Sequence, residues 1–454
     1  MKMAPPLWNP QMEGLDRKSL RDLQLVKLRA LLVRVYEASP YYHEKFRKAG
    51  VDPYKFSSWE DYAHYPFFDK EEERLSQEQS LEQLGHPFGL HISCDPRLVN
   101  RVSASSGTTG RPTYSGYTEK DRAISLEHHH RFATRIGLRK GDRVLFSMVL
   151  AMWAAGVPGV DALLNFGACV IPIGGKSGTE GWAQTAVDTR PEVLMCTPSF
   201  ALHLIKSVPE RTGIDTRSLG IRKICVTGEP GGSIKEIYTR ISEGFGGAEV
   251  YDGTGATGVH NPTCVSCEEH SGLHFFAEDN AIFEIVDPKT MLPLPLEDGV
   301  EGEIVYTGLH KECAPLVRWR DKDIVQVFTA PCACGRPGPR LVFKGRVDDM
   351  LLVRGVNVFP NAIRDVISRA SDAVTGHVRV VKAKGTPVVN PPVRVKVELK
   401  EPLPPEARRV LVSRLESQLH DALHFSPSVE LFDTGTLPQE LGSTGKSKIV
   451  EETD

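Results

Sequence analysis

Between residues 103 and 113 the chain reads Ser103-Ala104-Ser105-Ser106-Gly107-Thr108-Thr109-Gly110-Arg111-Pro112-Thr113, a run of hydroxyls with two glycines and one permanent cation. Glycine lets backbone N–H groups approach an anion, and hydroxyls add neutral donors, so such a loop suits a polyphosphate. It is not a P-loop of the form G-x-x-x-x-G-K-[ST], because Arg111-Pro112 follows Gly110. On residue types alone the run also reads as a surface turn. Cysteines form a second constellation: Cys264-Val265-Ser266-Cys267, then His274, then Cys332-Ala333-Cys334. Soft thiolates with one imidazole suit tetrahedral Zn2+. Reduced buried thiols without metal are the alternative for the same residues.

Elements must hold these groups in place, and composition limits what those elements can be. A chain of 454 residues exceeds one ordinary domain, so a large domain plus a smaller one is expected. The net charge of −3, with mixed signs, gives no basis for a nucleic-acid or anionic-membrane partner. A hydrophobic fraction of 40% is ordinary for a globular protein, and no run approaches the ~18 apolar residues of a membrane span. The opening Met1-Lys2-Met3-Ala4-Pro5-Pro6 lacks the apolar core of a signal peptide. Nine cysteines, an odd number, point to reduced thiols, and the cytoplasm is the expected compartment.

Apolar residues at helical spacing from Ser19 to Ala38 (Leu23, Val26, Leu28, Leu31, Leu32, Val35) predict an amphipathic helix. Short β-rich runs at 144–150, 169–173, 193–196, 224–227 and 249–251 then alternate with helical stretches, which predicts a largely parallel sheet covered on both faces. The pattern becomes strand-rich at 282–286 and 303–306. Beyond Gly345 a compact βαβ-like unit is expected, with a strand at 393–399 and a helix at 407–423.

Three further stretches agree with the hydroxyl loop in order: Arg318-Trp319-Arg320-Asp321-Lys322-Asp323; the run from Gly345-Arg346-Val347-Asp348 through Gly355 to Pro360; and Gly445-Lys446. Together they resemble the phosphate-binding, ribose-binding, interdomain-hinge and terminal-lysine motifs of the acyl-adenylate-forming (AMP-binding) enzymes. Trp8-Asn9-Pro10 and Gly228-Glu229-Pro230 are similar to the phenylacetate–CoA ligase-like branch. The resemblance implies an α/β fold. A large N-terminal domain (residues 1–345) of helix-covered, mainly parallel sheets with a β-rich part would be followed by a small mobile α+β domain (346–454). It further implies that a carboxylic acid, of aromatic type, is activated by ATP with Mg2+ to an acyl-adenylate and passed to coenzyme A. Relatives are often homodimers.

Residue by residue, the resemblance assigns the phosphates to Ser105, Ser106, Gly107, Thr108, Thr109 and Gly110, the ribose to Asp323, the ribose or phosphate to Arg346, and a catalytic role to Thr254 beside Lys446. Tyr251 stands where the family stacks an aromatic ring on adenine, with Glu229 and Asp252 close by in the motifs; by type alone Tyr251 reads as core. Asp348 matches the hinge, Gly355 the coenzyme A channel and Lys446 the adenylating lysine. Met148, Trp153, Ala154 and Gly156 fall where relatives build the acyl pocket, although each also suits an ordinary core. Some members of the branch carry a structural zinc, whose ligands here would be Cys267, His274, Cys332 and Cys334, with Cys264 in reserve.

One position departs from the family. Its adenine motif runs tyrosine-glycine-any-Ser/Thr-glutamate, with the glutamate near Mg2+, whereas this chain reads Tyr251-Asp252-Gly253-Thr254-Gly255. Either ATP phosphates and water would then carry more of the metal's coordination, or Asp252 or Glu229 would substitute for the glutamate. Restoring the side chain with Gly255→Glu is expected to lower the Mg2+ requirement, provided the backbone there does not need a positive φ. Two other readings stay open: delivery of the acyl group to an amine or carrier-protein thiol, and a nucleotide-binding relative that has lost turnover.

Overall fold

The computed structural model describes residues 6–104, 112–174, 177–229, 231–256, 259–347, 351–353, 356–384, 386, 388–437 and 449–453 (backbone alone at 356 and 357). Five strands, Cys169–Ile171, Arg143–Phe146, Val193–Cys196, Lys223–Thr227 and Glu249–Thr254, lie side by side in that order and run parallel. Val193–Cys196 is buried along its whole length, as expected for a parallel strand covered on both faces. Its residues alternate between two cores. Phe146, Met195, Cys225 and Tyr251 are in register and join one apolar cluster. Leu145, Leu194, Ile224 and Val250, one residue earlier on each strand, join the other.

The helices between strands carry their own start and stop signals. Pro198–Thr212 begins with the Thr197 side chain accepting from Phe200 N–H and with proline in its first turn. It ends at Gly213 in the left-handed region. The early strand expected over 144–150 stops at Phe146, because the following residues leave the sheet as a loop. The N-terminal helix is Arg17–Ala38, and its buried stripe is Leu20, Gln24, Leu28, Leu31, Leu32 and Val35. Val26, expected in that stripe, is 70% exposed, since a residue two positions from Leu28 faces the opposite side of a helix with about 3.6 residues per turn. Gln24 takes the buried place, its amide donating to the Glu278 carbonyl at 2.7 Å.

The β-rich part continues the same sheet. Beyond Glu249–Thr254 come Cys264–Ser266, Leu273–Phe275, Arg340–Arg346, Trp319–Phe328, Glu301–Gly308 and Ala281–Val286, each antiparallel to its neighbour. A separate four-stranded sheet follows, ordered Pro427–Phe432, Val393–Leu399, Val374–Ala383, Val450–Thr453. Val393–Leu399, the helix Pro405–Leu423 and Pro427–Phe432 form the βαβ unit, the two strands pairing in parallel. This sheet has its own apolar cluster, from Leu351 to Val429.

Candidate functional site

In parallel strands all carboxyl ends emerge on one edge, where open α/β sheets bind ligands. Here that edge carries Ser147-Met148, Thr197, Gly228-Glu229 and Thr254. The Glu229 carboxylate accepts the Ser199 N–H at 2.6 Å, at the positive end of the helix Pro198–Thr212. Trp153 packs against Gly228, so closely that a Cβ on that glycine would lie 2.7 Å from the indole. The Ala104 N–H donates to the Met152 carbonyl at 2.7 Å. The loop over 147–156 is thus fastened to the strand Arg101–Ala104 on one side and to Gly228 on the other. Met148 and Ala154 are buried, and Gly156 leaves no room for a side chain, since its Cβ would lie 2.5 Å from the Val149 carbonyl.

Arg101–Ala104 pairs antiparallel with Tyr114–Tyr117, and the segment these strands bracket holds Ser105, Ser106, Gly107, Thr108, Thr109 and Gly110. Those six residues lie outside the described residues, as do Asp348, Gly355 and Lys446. Lys311, fully buried, donates to the Ser115 hydroxyl at 2.9 Å and sits 3.9 Å from the Tyr117 ring centroid, bracing the second strand from behind.

Tyr251 is buried in the main core, its hydroxyl donating to Glu249 at 2.9 Å and Lys223 lying over its ring. Asp252, next along the strand, faces the opposite side, where the Ser233 hydroxyl donates to its carboxylate at 2.6 Å. Burial pushes the Asp252 carboxyl up to about 7, against the pull of Ser233. The side chain fits because position 232 is glycine, whose Cβ would lie 2.6 Å from Asp252 Cγ.

Gly255 has a φ outside the left-handed region, yet it cannot take a side chain as it stands. A Cβ there would lie 2.2 Å from Asn261 Oδ1 and 2.9 Å from the Thr263 backbone nitrogen. The expectation that Gly255→Glu would simply restore a metal-facing carboxylate is therefore corrected. The neighbouring loop is packed onto this position, and the substitution must first displace backbone.

Asp323 and Arg346 stand opposite each other on neighbouring strands, and the guanidinium donates to Asp323 at 3.2 Å. Asp321 lies 3.8 Å from the same guanidinium. Arg318, earlier in this motif, has a different job. Its φ of 50° is strained for a residue with a Cβ, and its buried guanidinium donates to Glu284 and to the carbonyls of Ala63 and Tyr65. It ties the N-terminal helical layer to the antiparallel strands. Sequence reasoning missed Glu284, since a lone glutamate in a strand carries no signal until its partner is known.

The cysteine constellation comes together. The ligand atoms of Cys267, His274, Cys332 and Cys334 all lie within 4.8 Å of one another. Cys267 Sγ and Cys332 Sγ are 3.8 Å apart, the separation that two thiolates with Zn–S of about 2.3 Å have in a tetrahedron. Cys334 Sγ and His274 Nε2 are 3.3 Å apart, and the Arg336 N–H donates to Cys334 Sγ at 3.4 Å. A backbone donor to sulfur suits a thiolate. Cys264 is apart from this group, fully buried and within hydrogen-bonding reach of the Thr263 hydroxyl.

Comparison with known proteins follows this layout. Residues 70–310 match the AMP-binding enzyme family and residues 355–453 its C-terminal domain. This chain belongs to the AMP-binding enzyme family. The phenylacetate-coenzyme A ligase of Thermus thermophilus is 35% identical over 404 residues, covering 87% of this chain and 85% of that protein. Among solved structures of AMP-binding enzymes, 2-hydroxyisobutyryl-CoA ligase in its postadenylation state superposes with a TM-score of 0.88 at 25% identity, covering 100% of this chain and 94% of the other. The same enzyme in its thioesterification state gives 0.71 at 26% identity, covering 99% and 94%. Among the described residues, no helix is long and apolar enough to cross a membrane.

Proposed function

We propose that this chain activates a compact aromatic carboxylic acid with ATP and transfers the acyl group to coenzyme A. The observation that carries this reading is the match, over 87% of the chain, to an enzyme that joins an arylacetic acid to coenzyme A. A carboxylate resists a thiol because its oxygen is a poor leaving group. Its attack on the α-phosphate of ATP releases pyrophosphate and gives a mixed anhydride. The coenzyme A thiol then attacks the acyl carbon, loses its proton and expels AMP. Positioning and charge stabilisation do most of this work.

In this reading Ser105, Ser106, Gly107, Thr108, Thr109 and Gly110 cradle the phosphates, and Thr254 donates to the α-phosphate. Asp323 accepts from the ribose hydroxyls, a role suited to a group that only accepts when ionised, while Arg346 holds it in place. Glu229, Tyr251 and Asp252 shape the nucleobase side, and Met148, Trp153, Ala154 and Gly156 the acyl pocket. Lys446 bridges the carboxylate and the phosphates. The chain divides at the hinge Asp348, with residues 1–345 before it and 346–454 carrying the moving part, and Gly355 lines the coenzyme A channel.

Mg2+ is held by phosphates and water, since position 255 offers no carboxylate. Zn2+ is held by Cys267, His274, Cys332 and Cys334 and supplies cross-linking rather than chemistry. The sulfur spacing and the Arg336 N–H support this assignment. None of the nine cysteines is joined in a disulfide, which supports a reducing compartment such as the cytoplasm. The test is a panel of arylacetic, benzoic and short aliphatic acids, measured by acid-dependent pyrophosphate release and then by thioester formation. Turnover fastest with an aromatic acid is expected; uniform inactivity across the panel would remove the reading.

A further inference from the structure

The neighbouring 2-hydroxyisobutyryl-CoA ligase covers this chain equally well in two states, 100% and 99%, yet agrees with it unequally, at TM-scores of 0.88 and 0.71. Equal coverage with unequal agreement is a difference in how parts are placed. The placement here matches the postadenylation state, and a small set of contacts holds it.

Arg240, on the helix Lys235–Gly244, donates from its guanidinium to the Thr375 carbonyl of the C-terminal strand Val374–Ala383. One turn earlier, Ile237 faces Gly376, where a Cβ would lie 3.5 Å from Ile237 Cγ1. On the preceding helix, Lys206 reaches the turn at Gly435, its Nζ 2.5 Å from where a Cβ would sit. A reciprocal cation points the other way. Arg364, on the C-terminal helix Pro360–Ala370, is 8% exposed, and its Nε is buried with no hydrogen-bond partner among the described residues. Burial lowers Arg364 to about 10, with Glu229 across the interface as its foremost opposing charge.

These contacts bear on the segment that carries Lys446. The Gly435 N–H donates to Glu398 at 2.9 Å, and Glu398 is the carboxylate whose field acts on Arg240. The chain leaves the C-terminal sheet after Phe432, stays tied to it through the Gly435 N–H, and rejoins it at Val450, paired with Val380 on the strand that Arg240 holds. Both ends of the intervening segment are therefore fixed to the sheet that Arg240 docks.

We propose that Arg240 is a positioning residue for adenylation, docking the C-terminal sheet in the arrangement that forms acyl-adenylate, with Arg364 as its reciprocal partner. This rests on the function proposed above. A guanidinium suits the role because its rigid fork holds a backbone carbonyl while staying charged beside Glu398.

The test measures two half-reactions on the full chain: acid-dependent pyrophosphate release, and thioester formation from separately supplied acyl-adenylate. Arg240→Ala should lower the first about tenfold, the scale of one charge-assisted hydrogen bond, and leave the second within about twofold. Arg240→Lys should recover part of the loss. Arg364→Gln, an independent variant, should shift the ratio of the two rates in the same direction. Equal loss in both half-reactions, or an unchanged ratio in the folded variants, overturns the inference while leaving the function standing. A wild-type chain that releases no pyrophosphate with any acid removes the function and this inference with it.

Discussion

In the parallel half of the large sheet, Phe146, Cys196, Thr227 and Thr254 end their strands on one edge, and the loops that follow share a common space. In the antiparallel half, neighbouring strands end on opposite sides, so no edge gathers loops in this way. There the chemistry-bearing side chains lie in and just beyond the strands, as with His274 within Leu273–Phe275 and Cys267 directly after Cys264–Ser266. Strand direction thus separates the two uses of one sheet. The half with aligned ends suits ligands that come and go, and the half with alternating ends suits permanent fastening. Asp323 and Arg346 are the exception, a facing antiparallel pair proposed above for the ribose, with Asp323 within Trp319–Phe328 and Arg346 closing Arg340–Arg346.

The comparison is tested most strongly by removing Lys446. Lys446→Ala should slow acyl-adenylate formation ~10²-fold or more, the scale of a lost preorganised charge, and leave thioester formation from supplied acyl-adenylate nearly intact. Loss of both steps together would show that this segment serves the fold rather than one half-reaction. Next in size is the exception. Asp323→Ala should raise KM for ATP about tenfold, with thermal stability little changed, because the Asp323–Arg346 pair is partly exposed and adds little to folding. A fall in stability with KM unmoved would return this pair to the fastening half.

Metal content then probes the fastening itself. Purified protein should carry about one Zn2+ per chain, and Cys332→Ser should release it and cost about 2 kcal/mol of stability without changing KM for ATP. Metal-free protein of full stability would leave the cluster as four buried side chains and nothing more. The smallest effect concerns pH. Asp252 binds its proton more tightly folded, at about 7, than unfolded, near 3.8. The folded state therefore holds more protons between those values, and stability falls as pH rises from the unfolded value toward about 7, then levels. Asp252→Asn should remove that slope and make the folded state more stable than the wild type above about pH 7. An unchanged pH–stability profile would mean that Asp252 is solvated in solution.

Local signals were legible where residue type carries them. The cysteines and His274 stand out as rare residue types, but which four of them meet was implied by the family resemblance rather than by spacing, and Cys264 stays apart. The strand at 193–196 was readable because four consecutive apolar residues fit a doubly covered strand. Contacts between distant segments were not. Glu13 and Arg135 form a fully buried ion pair at 2.8 Å, and nothing in either neighbourhood signals the other. Arg240 reads as one more cation on a polar helix face until the C-terminal strand is laid against it. The packing of Asn261 and Thr263 against Gly255 was equally hidden, because a missing glutamate looks like lost function when the sequence cannot show that its space is filled. The sheet's continuity across its two halves also escaped notice, since a change from parallel to antiparallel pairing leaves no mark in periodicity.

The spacing of Cys267 and Cys332, 65 residues apart, has a consequence for the unfolded chain. Four of the six antiparallel strands of the large sheet, from Leu273–Phe275 to Trp319–Phe328, lie between these two thiols, and the other two flank them. A cross-link there would turn a long-range search into one confined within a closed ring. Loop-closure entropy grows slowly, by about 0.6 kcal/mol for each doubling of length, so most of the benefit comes from closing the ring at all. Refolding with the ring closed should therefore outpace refolding with it open, and the gain should be concentrated in the antiparallel strands.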